Sequence, residues 1–195
     1  MQHLATPCQT VDLLYVPSTR VMRTLAIFLV ASLGVAAAGD VTNEARVKAA
    51  FLVKFPQFVE WPATVLEGRR TVDLCVLGPV PFGSVLDELT AGEKLDGRPF
   101  AIRRVDATAV RSCQVLFLSE ATGAREPVLR TLATVPVLTV SDAPRFLDEG
   151  GIIQLHVVAG RVRFNISVSA ATRAGLRLNA QLLQLADRVV YGGRS

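Results

Sequence analysis

The chain has 195 residues, 50% of them hydrophobic and 19% charged, with a formal net charge of +4. That composition excludes a disordered or fibrous chain and supplies enough apolar side chains for one sizeable core, so a single domain is the default. It also argues against a nucleic-acid binder. The lysines are limited to Lys48, Lys54 and Lys94, the pairs Arg69-Arg70 and Arg103-Arg104 are isolated, and phosphate tracking needs a concentrated basic surface.

Residues 1–21 match no folded element. Met22 to Ala38 reads as a complete signal peptide, with a basic start at Arg23 and Ala36-Ala37-Ala38 as an A-x-A cleavage site. Its apolar stretch is shorter than the about 20 residues that a membrane span needs. Met22 is then the true start, 1–21 an upstream extension, 22–38 the leader, and 39–195 the mature exported domain. The competing reading is an uncleaved N-terminal anchor, with residues 1–21 as a cytoplasmic tail. Cys8 falls upstream of the leader, so the mature chain holds only Cys75 and Cys113.

From Asn43 to Glu60 the spacing of Val47, Phe51, Phe55 and Phe58 predicts a helix, capped by Asn43 and favoured by Glu44 in its first turn. Pro56 would remove the hydrogen bond to the Leu52 carbonyl at a cost of about 3 kcal/mol, so a kink or break is expected before Trp61-Pro62. The stripe Phe51, Phe55, Phe58 and Trp61 has two readings: it faces the core, or it is an exposed partner-binding surface.

Val72–Leu77 and Cys113–Leu118 are short apolar runs, each stopped by a small residue, and read as neighbouring central strands of an α/β sheet. Gly78 to Ser84 follows the first of them as a structural turn, with no phosphate-loop signature, and leads into an amphipathic segment with Val85, Leu86 and Leu89. Asp96-Gly97-Arg98-Pro99 reads as a turn and Phe100–Val105 as a strand at or near an edge. A helix is expected around 124–133, a strand over Val135–Val140, and a short helix carrying Phe146 and Leu147. Ser141 or Asp142 would cap that helix and Gly150-Gly151 would close it. Repeated strand–helix–strand order predicts an α/β fold, its mostly parallel central sheet flanked by helices on both faces.

The hairpin Ile152–Ser167 is the clearest local pattern. A two-residue Ala159-Gly160 loop places Ile153, Leu155, Val157, Val162, Phe164 and Ile166 on one face, and Gln154, His156, Arg163 and Asn165 on the other. Leu178, Leu182, Leu185 and Val189 then predict one final helix over Leu176–Val190.

No catalytic set assembles. His156 is the only histidine after the leader, and with two cysteines on separate strands it supplies no metal or haem ligand set, so no cofactor, no metal and no enzymatic activity are expected. The pair Asp148-Glu149 is read as a solvated helix end. If the two central strands are neighbours, the sulfurs of Cys75 and Cys113 can meet across the ladder, where a disulfide needs Cα atoms about 4.4–6.8 Å apart. Closing a loop of about 39 residues would add about 3–4 kcal/mol, and a bridge would place the protein outside the reducing cytosol; the alternative is two buried free thiols. A further candidate is a small-ligand crevice at the carboxyl ends of the strands, near Phe82, Gly83, Ser119, Ser141 and Asp142.

An ordered set of motifs runs through the mature chain. It comprises Lys48-Ala49-Ala50-Phe51-Leu52 with Phe58-Val59-Glu60-Trp61-Pro62, Cys75-Val76-Leu77-Gly78, Pro81-Phe82-Gly83, and Cys113-Gln114-Val115-Leu116-Phe117-Leu118-Ser119. It continues with Val137-Leu138-Thr139-Val140-Ser141-Asp142, Gly150-Gly151-Ile152-Ile153, Arg161-Val162-Arg163-Phe164-Asn165-Ile166, Ala174-Gly175-Leu176 and Leu182-Leu183. This set resembles the YfiR-like family of periplasmic regulators. The resemblance implies that 39–195 is a YfiR-like domain that binds the periplasmic domain of a membrane-bound diguanylate cyclase of the YfiN type, or a sensor kinase. Holding that partner inactive would lower cyclic di-GMP and biofilm formation; a homodimer is compatible with this role. The resemblance also implies that Cys75 and Cys113 are the family's sheet disulfide, while the cysteines of a second disulfide near Ser141–Gly151 are missing here.

Overall fold

The computed structural model describes residues 42–79, 81–123 and 125–192. The expected extension and signal peptide, with Cys8, lie outside them.

Helix α1 (Asn43–Lys54) is capped by Thr42, whose Oγ1 accepts the Ala45 N–H at 3.2 Å, one residue ahead of the expected Asn43. Pro56 acts as the breaker its chemistry requires. The chain tightens there into a 3-10 turn, Phe55–Phe58, with Pro56 near its start where a missing N–H is harmless, and then enters strand β1 (Val59–Glu60). A single-turn helix α2 (Ala63–Leu66) follows.

The sheet begins with β2 (Val72–Leu77), in which every residue is buried. Helix α3 (Val85–Thr90) leads to the short strand β3 (Lys94–Leu95) and to β4 (Arg98–Val105). Asp96 and Gly97 join these two with φ of 49° and 78°, which is what a two-residue turn between right-twisted strands demands. Arg98 and Pro99, read from the sequence as turn residues, therefore open the strand. Next come β5 (Val115–Leu118), α4 (Arg125–Leu132), β6 (Leu138–Ser141), β7 (Ile153–Val158) and β8 (Arg161–Ser167). Helix α5 (Val168–Arg173), β9 (Arg177–Leu178), α6 (Ala180–Leu185) and β10 (Arg188–Val190) complete the described chain.

The eight-stranded sheet runs β10-β8-β7-β6-β5-β2-β4-β3 and is parallel except at the β7–β8 hairpin and the β3–β4 edge; β1 and β9 form a separate small ladder. The two cysteine-bearing segments are central neighbours, as expected, and helices cover both faces. Leu74, Val76, Val115, Phe117, Leu138 and Val140 point to the face packed by α1, α3, α5 and α6. Cys75, Leu77, Leu116 and Leu118 point to the other, beneath Leu129 and Leu132 of α4 and the ring of Phe146. Strict alternation along buried parallel strands separates these two cores.

Cys75 and Cys113 form a disulfide with Cα atoms 5.9 Å apart. Its placement differs from a rung-to-rung bridge. Cys75 lies opposite Leu116, and Cys113 precedes β5 at the exit of a 3-10 turn, Val110–Ser112, so the bond ties β2 to the chain entering β5. The buried Gln114 closes the same junction: its backbone N–H donates to the Asp73 carbonyl at 3.0 Å, and its Oε1 accepts the Asp73 N–H at 2.8 Å.

The hairpin has the predicted register at all six positions, from Ile153 opposite Ile166 to Val158 opposite Arg161. Two predicted helices are not present. Pro144 to Gly150 is a succession of turns, because Ser141 Oγ takes the Ala143 N–H at 3.0 Å and Arg145 sits at φ 62°, outside the right-handed helical region. The long helix over Leu176–Val190 is instead β9, α6 and β10. Asn179 starts a new helix by accepting the Leu182 N–H at 2.9 Å, and the Asp187 N–H donates to the Phe164 carbonyl at 2.8 Å, docking β10 on the open edge of β8. An unpaired sheet edge outweighs a weak helical spacing. Helix α5 was not signalled by periodicity; Ser167 caps it through the Ala170 N–H at 3.2 Å.

Candidate partner-binding surface

Helix α1, its 3-10 extension and α6 flank an apolar groove of about 240 Å³, floored by Phe164 of β8. Phe51 and Phe55 stack on each other at 5.5 Å between ring centroids, and both meet Phe164 edge-on, at 5.4 and 5.1 Å. Phe55 is buried at 2% exposure, whereas Phe51 and Phe58 are half-buried and line the groove with Val47 and Ala50. Leu182 is buried beneath, and Leu185 closes the far wall with 64% of its surface exposed. Lys54 stands at the rim, its ammonium 2.9 Å from Glu93.

The four aromatic residues predicted as one stripe are therefore divided. Phe51, Phe55 and Phe58 belong to this groove. Trp61 turns away, donates its indole N–H to the Pro56 carbonyl at 3.4 Å, and lines a second cleft of about 550 Å³ with Pro62, Leu66, Asp96 and Arg98. The period change at Pro56 explains the division: past Lys54 the chain is a 3-10 turn and then a strand, so helical spacing no longer keeps residues on one side. The walls contributed by Phe164, Leu182 and Leu185 were not legible as groove residues. Phe164 carried only the period-two signal of a hairpin strand, and Leu182 and Leu185 only an apolar spacing equally consistent with a core helix.

At the carboxyl ends of the strands, the crevice residues take part in internal packing and bonding. Phe82 has no exposed surface and packs edge-on against Phe117 at 4.8 Å. The Ser141 hydroxyl donates to the Leu118 carbonyl at 2.6 Å, and Ser119 is buried with its N–H on the Leu77 carbonyl at 3.1 Å. Gly83, exposed at φ 52°, lies in the turn before α3. Asp142 accepts the Glu120 N–H at 3.3 Å and pairs with Lys48 of α1 at 2.9 Å; Lys48 also holds Glu44 at 2.7 Å. Burial of Lys48 opposes its charge, but hydrogen bonds and attraction from Glu44 and Asp142 together outweigh it, and the lysine pKa stands above its ordinary value. This triad fastens α1 to the ends of β5 and β6 and thereby fixes one wall of the groove.

Other candidate chemistry is dispersed. His156 lies opposite Arg163 and its Nε2 is 3.2 Å from Asp187 Oδ2. Glu149 makes a two-pronged pair with Arg125 at 3.1 Å, while Asp148 is exposed in the turn. Among the described residues no group of His, Cys, Asp and Glu is arranged to hold a metal ion, and no helix is long and apolar enough to cross a membrane.

A family model described as YfiR/HmsC-like matches residues 45–187. A solved structure of a conserved domain protein from Vibrio cholerae O1 biovar eltor is similar at 13% identity with a TM-score of 0.47. The similarity covers 64% of this chain and 56% of that one.

Proposed function

Because the chain belongs to the YfiR/HmsC-like family, we propose that it is a periplasmic regulatory protein that binds the sensor domain of a membrane-bound signalling protein and holds it inactive. The partner is a YfiN-type diguanylate cyclase, and the outcome is lower cyclic di-GMP. Members of this family act by binding rather than by catalysis. The observation that carries the reading is the groove beside α1: an all-carbon lining, aromatic rings held rigidly by one another, and an exposed Leu185 at its lip. Rigid aromatic and aliphatic anchors at a concave apolar surface are what a partner's side chains bury against.

Such a regulator needs only differential affinity. Binding the inactive sensor conformation about 100-fold better than the active one shifts the equilibrium by about 2.7 kcal/mol, with catalysis left to the partner's cytoplasmic domain. The test is capture from detergent-solubilised membranes, with mass spectrometry of what is retained. The intact protein should retain a membrane protein that joins a periplasmic sensor domain to a cyclase domain, and a Leu185→Asp variant should not. Recovery of no such protein, or equal recovery by the variant, overturns the proposal.

A further inference from the structure

The turn over 144–150, helix α5 and strand β10 enclose a cleft of about 500 Å³, within the range of small-molecule sites. Along β8, Phe164 and Ile166 enter the core beside α1, so the alternation of a strand turns Asn165 and Ser167 toward the opposite side. Three arginines line the cleft: Arg145 from the turn, Arg173 from the last turn of α5 and Arg188 from β10. Parallel pairing puts Arg188 opposite Asn165 and Val190 opposite Ser167, which brings Arg188 and Val190 to one face. Ser169 and Arg173, four residues apart on α5, also share a face. The Arg145 carbonyl accepts the N–H groups of Asp148 and Glu149 at 2.9 and 3.1 Å, which fixes the turn that carries it.

Charge is unbalanced in this cleft. Asp148 is the one acid in its lining, and among the described residues none of the three arginines forms an ion pair; the nearby Arg125, in contrast, is doubly bonded to Glu149. Planar guanidinium forks match phosphate oxygens in pairs, and serine hydroxyls add donors. We infer that this cleft binds a phosphate-bearing ligand, either a free phosphate compound or the headgroup of an anionic phospholipid. The site stands independently of the apolar groove and its partner.

Calorimetric titration of the purified protein with inorganic phosphate at constant ionic strength tests the free-anion source. Co-sedimentation with phosphatidylglycerol vesicles against phosphatidylcholine vesicles tests the headgroup. Saturable binding of phosphate, or retention by phosphatidylglycerol alone, is expected for at least one probe. That binding should weaken about tenfold or more in an Arg173→Gln, Arg188→Gln double variant and persist in Arg161→Gln, Arg163→Gln on the hairpin. Absence of binding in both assays, or equal weakening in the two double variants, overturns the site. If the first double variant does not fold, Arg145→Gln is held to the same comparison.

Discussion

The two faces of the sheet are built from alternate residues of the same strands, yet they are finished differently. The face carrying Cys75, Leu77, Leu116 and Leu118 is closed by α4, by the ring of Phe146 and by a covalent bond to Cys113. The face carrying Val76, Phe117 and Phe164 is covered by α1, α3, α5 and α6, but the last of these helices stops short and leaves Phe51, Phe58 and Leu185 around an open groove. Where α4, Phe146 and the disulfide lie, the closed face serves stability. The open face retains apolar surface that folding has not used, which is the surface a binding protein needs.

Substitutions on the closed face should cost most. Replacing Cys75 and Cys113 together by alanine removes a cross-link between positions 38 apart in sequence and should lower unfolding free energy by about 3–4 kcal/mol in denaturant titration. A loss below about 1 kcal/mol would mean that packing alone holds this face. Gly151→Ala follows at about 2 kcal/mol, because a Cβ there would overlap the buried Phe146 ring and force it to move.

The junction that supports the open face should cost less. Lys48→Met, breaking a partly buried pair with Asp142, is expected to remove about 1 kcal/mol and to loosen α1. Its pH dependence has a definite sign. The folded pKa of Lys48 is raised above the unfolded value, so its contribution is complete below about pH 10.4 and is lost as pH rises through the folded pKa. Wild type and variant should therefore differ in unfolding free energy at pH 8 and converge at strongly alkaline pH. Smallest of all, Leu185→Asp should change stability by no more than about 0.5 kcal/mol, since the side chain is largely exposed, while abolishing membrane-protein capture. A large stability loss there would reassign the groove to the core.

The strands were legible where apolar and polar residues alternate or run unbroken. Val72–Leu77 matches β2 at both ends, and the hairpin has its predicted partners from Ile153 to Ile166, because the two-residue Ala159-Gly160 loop fixes the register and period two then sets Leu155 and Phe164 on one face. The disturbance after α1 was legible too, since Pro56 predicts a kink or a break, and the chain takes the break. The groove was only half legible. Phe51, Phe55 and Phe58 came from a helical stripe, but Phe164 came from a strand about a hundred residues away in the chain, and α6 replaced part of a longer predicted helix.

Local chemistry by itself determined the α/β class, the disruption of the first helix at Pro56 and the hairpin register. These depend on interactions between near neighbours or on a period that a strand cannot escape. Only the tertiary structure decided that the chain after Gly175 divides into β9, α6 and β10, that Trp61 leaves the phenylalanines, and that Arg145, Arg173 and Arg188 converge. Each of these depends on a partner distant in sequence: the open edge of β8 offers backbone hydrogen bonds that outweigh a short segment's weak helical preference, and no local pattern records where that edge will be.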